Sequence, residues 1–248
     1  MIWVLDYKAA SGIWESHRIQ VATYFDTYGK ADRAGIILLD KKTGMHTFEQ
    51  VDRLEERYLA FLNLRNYYRF IVEPTLTDKK MDGFYVGKTG NKYPRITGIL
   101  DLLKIDALPQ WSANLTVDYF KEHIGEMLTP EQQEYHFKVA KTAYREVSKA
   151  AMNTGSIVHG AIHAYLSGAK PEPIIGDNKQ AETAFLGFLE WKDTVNLKPI
   201  EMEKVVVNEE EEYGGTIDLI AEMDDVPISD IPKPKKSRQK ASGASVGA

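Results

Sequence analysis

Residues 1–12 read MIWVLDYKAASG. Ile2 to Leu5 form an apolar run that ends in Asp6-Tyr7-Lys8, with small residues and Gly12 behind it. A short apolar run bounded by turn residues predicts a buried strand over Ile2–Tyr7. Alternation along a strand puts Asp6 and Lys8 on the same face. An acid and a base so placed are either an edge ion pair or part of a site. A buried strand needs neighbours on both sides, so its partners must be sought further along the chain.

The 248 residues allow one large domain or two small ones, and 43% hydrophobic content is enough for a normal core. No apolar run approaches the roughly 18–20 residues that span a bilayer. No signal segment follows a basic start, so a cytoplasmic protein is expected. There is no cysteine, which excludes disulfides, thiolate zinc sites and thiolate-held iron–sulfur clusters. The net charge of −5 gives no global basic field to attract nucleic acid. Carboxylates remain available as ligands of hard cations.

Trp14–Tyr28 carries Trp14, Val21, Phe25 and Tyr28 at helical spacing, and the aromatic residues Trp14, Tyr24, Phe25 and Tyr28 are expected in the core. Gly35–Leu39 reads as a short strand ended by the turn Asp40–Gly44. Thr47 and Gln50 fit a capping box, which predicts a helix from Thr47 to about Tyr68. Residues 72–95 lose periodicity and read as a linker. Short helices are expected at 96–104 and near 115–127. Thr129-Pro130 with Gln132 predicts the start of a helix ending near Met152. Asn153-Thr154-Gly155 should break it, with Thr154 capping a further helix to about Leu166. Asp177–Val195 is amphipathic. Glu203–Val207 and Thr216–Met223 are expected strands, joined by a solvated acidic turn at Glu209–Glu212. From Pro227 the chain is rich in Pro, Lys, Ser and Gly and reads as a flexible basic tail.

Four fragments carry polar residues in patterns that suit chemistry. Gly215-Thr216-Ile217-Asp218 opens an apolar strand with an embedded acid. Asp6-Tyr7-Lys8 ends another. Gln20 and Tyr24 lie four apart on one helix face. Gly155-Ser156-Ile157-Val158-His159 places a histidine one turn beyond a glycine. Taken singly, each has an ordinary structural explanation.

Together they resemble the PD-(D/E)XK nuclease superfamily, in its RecB-like branch with phage exonucleases. That branch combines a G-x-x-x-H helix, a G-x-x-D strand, a D/E-x-K strand and a Q-x-x-x-Y helix. Arg95-Ile96-Thr97-Gly98-Ile99-Leu100, with Leu108 and Trp111, also looks like the opening of many phage members. The resemblance implies an α/β fold with a mixed central sheet flanked by helices, the restriction-endonuclease-like core. The order here departs from the family's, because the last two motifs come first. The order is rotated rather than scrambled: joining Val226 to Ile2 would make one hairpin with Asp224-Asp225 at its turn. The chain therefore resembles a circular permutant. Residues 1–71 would be the C-terminal half of the core, 72–95 a linker, 96–226 the N-terminal half and 227–248 a tail. Thr216–Met223 and Ile2–Asp6 should then pair as adjacent antiparallel strands.

Two rival D-x-K stretches are set aside. Asp230 and Lys233 face opposite sides of a strand, and Pro232 removes a ladder donor. Asp40 and Lys42 run into a turn, and no Q-x-x-x-Y helix follows. His159 and His163 lack the glutamate of a zinc-protease helix, since Gly160 holds its place.

By the resemblance, Asp218, Asp6, Lys8, Gln20 and Tyr24 are the expected catalytic set. Asp218, Asp6, the backbone carbonyl of Tyr7 and His159 are the expected ligands of Mg²⁺ or Mn²⁺. Glu203 reads either as an acidic residue behind that site or as a surface residue at a strand start. The implied activity is hydrolysis of phosphodiester bonds in DNA, chiefly from double-stranded ends. A homo-oligomer or a strand-exchanged dimer is compatible with the permuted order. The competing expectation is a nucleic-acid-binding protein that keeps the fold without cutting.

Overall fold

The computed structural model describes residues 1–72, 83–104, 108–123, 125 and 129–224. A mixed five-stranded sheet forms the centre, in the order β3-β2-β1-β7-β6. Its strands are β1 (Ile2–Lys8), β2 (Arg33–Leu39), β3 (His46–Gln50), β6 (Lys198–Asn208) and β7 (Tyr213–Glu222). β1 lies in the middle. It runs parallel to β2 and antiparallel to β7, with Ile2 opposite Glu222 and Leu5 opposite Leu219. The strand at the head of the sequence thus finds one partner in the last strand described.

Helices cover both faces, as a sheet containing a parallel pair requires. Alternation in β1 divides the core. Trp3, Leu5 and Tyr7 pack with Val158, Phe188 and Trp191, from α5 (Pro130–Leu166) and α7 (Lys179–Thr194). Val4 packs on the other side with Val21, Phe61 and Ile96, from α1 (Glu15–Tyr28), α2 (Leu54–Ile71) and α3 (Ile96–Leu100). Trp3, Val4 and Leu5 are fully buried. Each contributes on the order of 1.5–3 kcal/mol by leaving water, which makes β1 the hub of the fold.

Several elements differ from the sequence reading. Thr47 lies in β3, not at a helix start. Asp40 Oδ1 accepts the N–H groups of Lys42 and Thr43, and Gly44 takes φ +73°. This tight turn folds β3 back on β2, and Phe48 packs against Trp3 and Trp191. α2 begins seven residues later than expected, at Leu54. The stretch read as a linker holds a hairpin, β4 (Phe84–Val86) with β5 (Lys92–Pro94); residues 73–82 lie outside the described set. The helix expected near 115–127 is α4 (Leu108–Glu122). α6 (Glu172–Ile175) is a single short turn.

α5 is the largest departure. Its start is the expected one: Thr129 and Gln132 cap each other reciprocally and Pro130 follows. The break at Asn153-Thr154-Gly155 does not occur, and the helix continues for 37 residues. Thr154 and Val158 are buried, Val158 in the core layer with β1, and Asn178 Nδ2 at the start of α7 donates to Thr154 Oγ1. Packing there outweighs the low helix propensity of the three residues. The acidic turn is not simply solvated: Glu211 pairs with Arg65 and Glu212 with Arg69 at 2.6 Å. Trp14 is 59% exposed rather than a core residue. Residues 225–248, with Val226 and the rival pair Asp230 and Lys233, lie outside the described residues. Among those described, no helix is long and apolar enough to cross a membrane.

Candidate metal centre and cleft

Asp6 and Lys8 leave β1 on the α1 side of the sheet, as the alternation predicts. Lys8 Nζ lies 2.9 Å from Asp6 Oδ2 and donates to Gln20 Oε1 at 3.3 Å. Gln20 Nε2 in turn donates to Asp6 Oδ1 at 3.5 Å and to the Tyr24 hydroxyl at 3.1 Å. The Q-x-x-x-Y spacing therefore works as a bracket: one turn of α1 holds both ends of the ion pair on β1. Burial opposes the charge on Lys8, but Asp6 and Asp218 outweigh it and raise its pKa. The ammonium stays charged beneath the cleft. Burial, followed by the charge of Asp6, raises the Tyr24 hydroxyl far above its usual range, so it stays neutral.

β7 delivers Asp218. Its Oδ2 accepts the backbone N–H of Tyr7 at 3.0 Å, although 211 positions separate the two residues. The G-x-x-D spacing has a steric reason. A Cβ on Gly215 would lie 2.5 Å from the Tyr24 ring and 2.9 Å from Ile96. Glycine lets the tyrosine of one motif lie flush on the strand of another.

From the opposite face α5 supplies His159, whose Nδ1 is 3.7 Å from Asp218 Oδ1. Its ring meets the Tyr7 ring edge-on at 5.8 Å. Glu203 of β6 completes the group. Its neighbours Met202 and Lys204 pair with Leu219 and Ile217, so Glu203 stands across from Asp218. It does so at φ +48°, a conformation rare for a glutamate in a strand. Strain of this kind gathers at functional positions. His159, Glu203 and Asp218 each offer a ligand atom, and these atoms lie within 4.8 Å of one another. One imidazole nitrogen and two carboxylate oxygens suit a divalent cation without selecting one.

Burial first, then the charge of Asp6, raises the Asp218 carboxyl to about 7, while His159 and Lys8 pull it down. A carboxylate that holds its proton for want of positive charge is well matched to a cation.

Most of these side chains, but not Glu203, line one cleft of about 210 Å³. Asp6, Lys8, Gln20, Tyr24, His159 and Asp218 all reach it, whereas Tyr7 is not among its lining residues and touches the group through its backbone N–H bond to Asp218. Asp6 is not in the trio of metal-capable side chains; its carboxylate is engaged by Lys8 and Gln20. Glu203 offers the third ligand atom of the trio, although its side chain is exposed and does not line the cleft. Arg95, Thr97 and Tyr85 also line the cleft. Tyr85 was hidden in the apparent linker. Its hydroxyl meets Thr216 Oγ1 at 2.7 Å, so the β4–β5 hairpin roofs the start of β7. No protein-family model, curated protein or solved structure matches the chain.

Proposed function

We propose that the protein is a metal-dependent nuclease that hydrolyses phosphodiester bonds in DNA from duplex ends, on a circularly permuted, restriction-endonuclease-like core. The observation that carries this reading is the β1–β7 pairing. It gathers four motifs, rotated in the sequence, into one cleft with a carboxylate pair, a held lysine and a histidine.

His159, Glu203 and Asp218 would hold Mg²⁺ or Mn²⁺, which polarises a phosphoryl oxygen and lowers the pKa of a bound water. Lys8 presents fixed positive charge to the phosphate and is oriented by Asp6 and Gln20. Charge fixed in advance stabilises a developing anion without reorganisation. Tyr24 sets Gln20 through its hydroxyl. The raised proton affinity of Asp218 makes binding of the cation compete with protonation near neutral pH.

The test is degradation of end-labelled linear duplex DNA, against a covalently closed circle, with Mn²⁺, Mg²⁺ or EDTA. Metal-dependent loss of the linear DNA is expected. Asp6→Asn, Lys8→Gln and Asp218→Asn should each lower the rate at least about a hundredfold with the circular dichroism spectrum intact. Binding of DNA without cutting under any divalent metal would instead identify a non-catalytic binding protein.

A further inference from the structure

We infer that α5 is a track for a nucleic-acid strand, along which Lys138, Lys141, Arg145 and Lys149 lead backbone phosphates toward His159. The inference rests on the nuclease reading and adds where the strand lies outside the cleft.

At about 100° per residue, Lys138, Lys141, Arg145, Lys149, Asn153, Ser156 and His159 all fall within a sector of about 120°. The side chains from Lys138 to Ser156 in this stripe are exposed. The opposite side of the helix is used for packing. Thr116 of α4 bonds to the Ala140 carbonyl, Tyr119 to His136, and Phe120 lies against Phe137. Further along, Thr154, Val158 and Ile162 face the core. From Lys138 to Ser156 the stripe therefore faces away from α4 and the core, and it ends beside the candidate metal centre, where His159 meets Tyr7.

The charge of the stripe is local. The whole chain carries −5, yet between Lys138 and His159 the only acidic residue is Glu146. Lys138 leans on Glu134 at 3.3 Å, an exposed pair of little strength. Lys141, Arg145 and Lys149 have no carboxylate partner among the described residues. Arg145 rests on Tyr144 instead. Between the last lysine and His159 the stripe turns neutral. Lys149, Asn153 and Ser156 border a surface hollow of about 570 Å³ there, with Glu146 and Met152 also on its lining.

The length fits a polymer rather than a small anion. At about 1.5 Å per residue the stretch from Lys138 to His159 spans about 32 Å. That matches about nine base steps of one duplex strand at about 3.4 Å of axial rise each. The track exists only because α5 does not break at Asn153–Gly155.

The experiment is fluorescence anisotropy of labelled dT20 and dT4 in EDTA, from 50 to 200 mM KCl, on the full chain. The track variant is Lys141→Gln/Arg145→Gln/Lys149→Gln. The control variant, Lys170→Gln/Lys179→Gln/Lys198→Gln, removes three exposed charges elsewhere. For dT20 the track variant should bind at least about tenfold more weakly, with a log–log salt slope shallower by about 2, since each lost single-strand contact removes about 0.7. Its binding of dT4, and the control variant's binding of both, should be unchanged. Equal binding of dT20 by wild type and track variant would overturn the track while leaving metal-dependent cleavage standing. An equal loss in the control variant would overturn it too, by showing diffuse attraction. Absence of both DNA binding and cleavage in the wild type would overturn the nuclease reading and the track with it.

Discussion

Asp218 is the residue on which the cleft is balanced. Its carboxyl holds a proton up to about pH 7 in the fold, against 3.8 as the ordinary value. The folded state therefore keeps a proton that the unfolded chain releases, so stability falls as pH rises from about 4 to 7 and levels off above. At about 1.4 kcal/mol per unit the cost reaches on the order of 4 kcal/mol. Urea unfolding at pH 5 and pH 8 in EDTA should show this loss in the wild type and not in Asp218→Asn. Mn²⁺ at pH 8 should restore most of it. Matching pH slopes in the two proteins would show that Asp218 does not carry the effect. Asp6, Lys8, Gln20 and Tyr24 were legible beforehand because each pair sits within one element, where alternation or a four-residue step fixes the geometry. Glu203 was not assignable. Its place depends on the register of β6 against β7 and on a left-handed backbone angle that no local pattern encodes.

At the scale of elements, strong local chemistry was readable and weak punctuation was not. Thr129-Pro130-Gln132 marked a helix start because three independent preferences coincide there. Thr47 and Gln50 met the same capping spacing by chance within an alternating strand, and the Asp40 turn decided the matter. Asn153-Thr154-Gly155 reads as a break in isolation, but burial of Thr154 and Val158 carries the helix through. Gly155 is then a glycine in a helix interior, with nothing within 4 Å of an added Cβ. Gly155→Ala should stabilise the protein by about 1 kcal/mol, measured as a rise in the urea midpoint at constant m. A fall would mean that the helix is strained at this point. The β4–β5 hairpin escaped notice because its strands have three residues each, too few for a period to register.

Across the whole molecule, the individual strands and helices were read from the pattern of apolar runs, whereas the mixed sheet with its helical layers, and the pairing of the first strand with the last one described, were expected from the resemblance and its rotated motif order. The hairpin, the unbroken α5 and the exposed Trp14 required the three-dimensional contacts. The sheet order has a consequence for assembly. Residues 1–72 contribute Asp6, Lys8, Gln20 and Tyr24, while residues 83–224 contribute His159, Glu203 and Asp218. The two parts meet along β1 and β7, and α7 also packs on β2 and β3. Cutting the chain within 73–82 should therefore yield two polypeptides that elute together as a one-to-one complex when mixed and that show the proposed nuclease activity only in that complex. Halves that never co-elute would show that the tether, not the strand pairing, holds the sheet together. Initial rates at low concentration should rise with the product of the two fragment concentrations. The cleft would then act as a coincidence detector: two separately expressed halves, fused to other proteins, would report by DNA cleavage that their carriers had met.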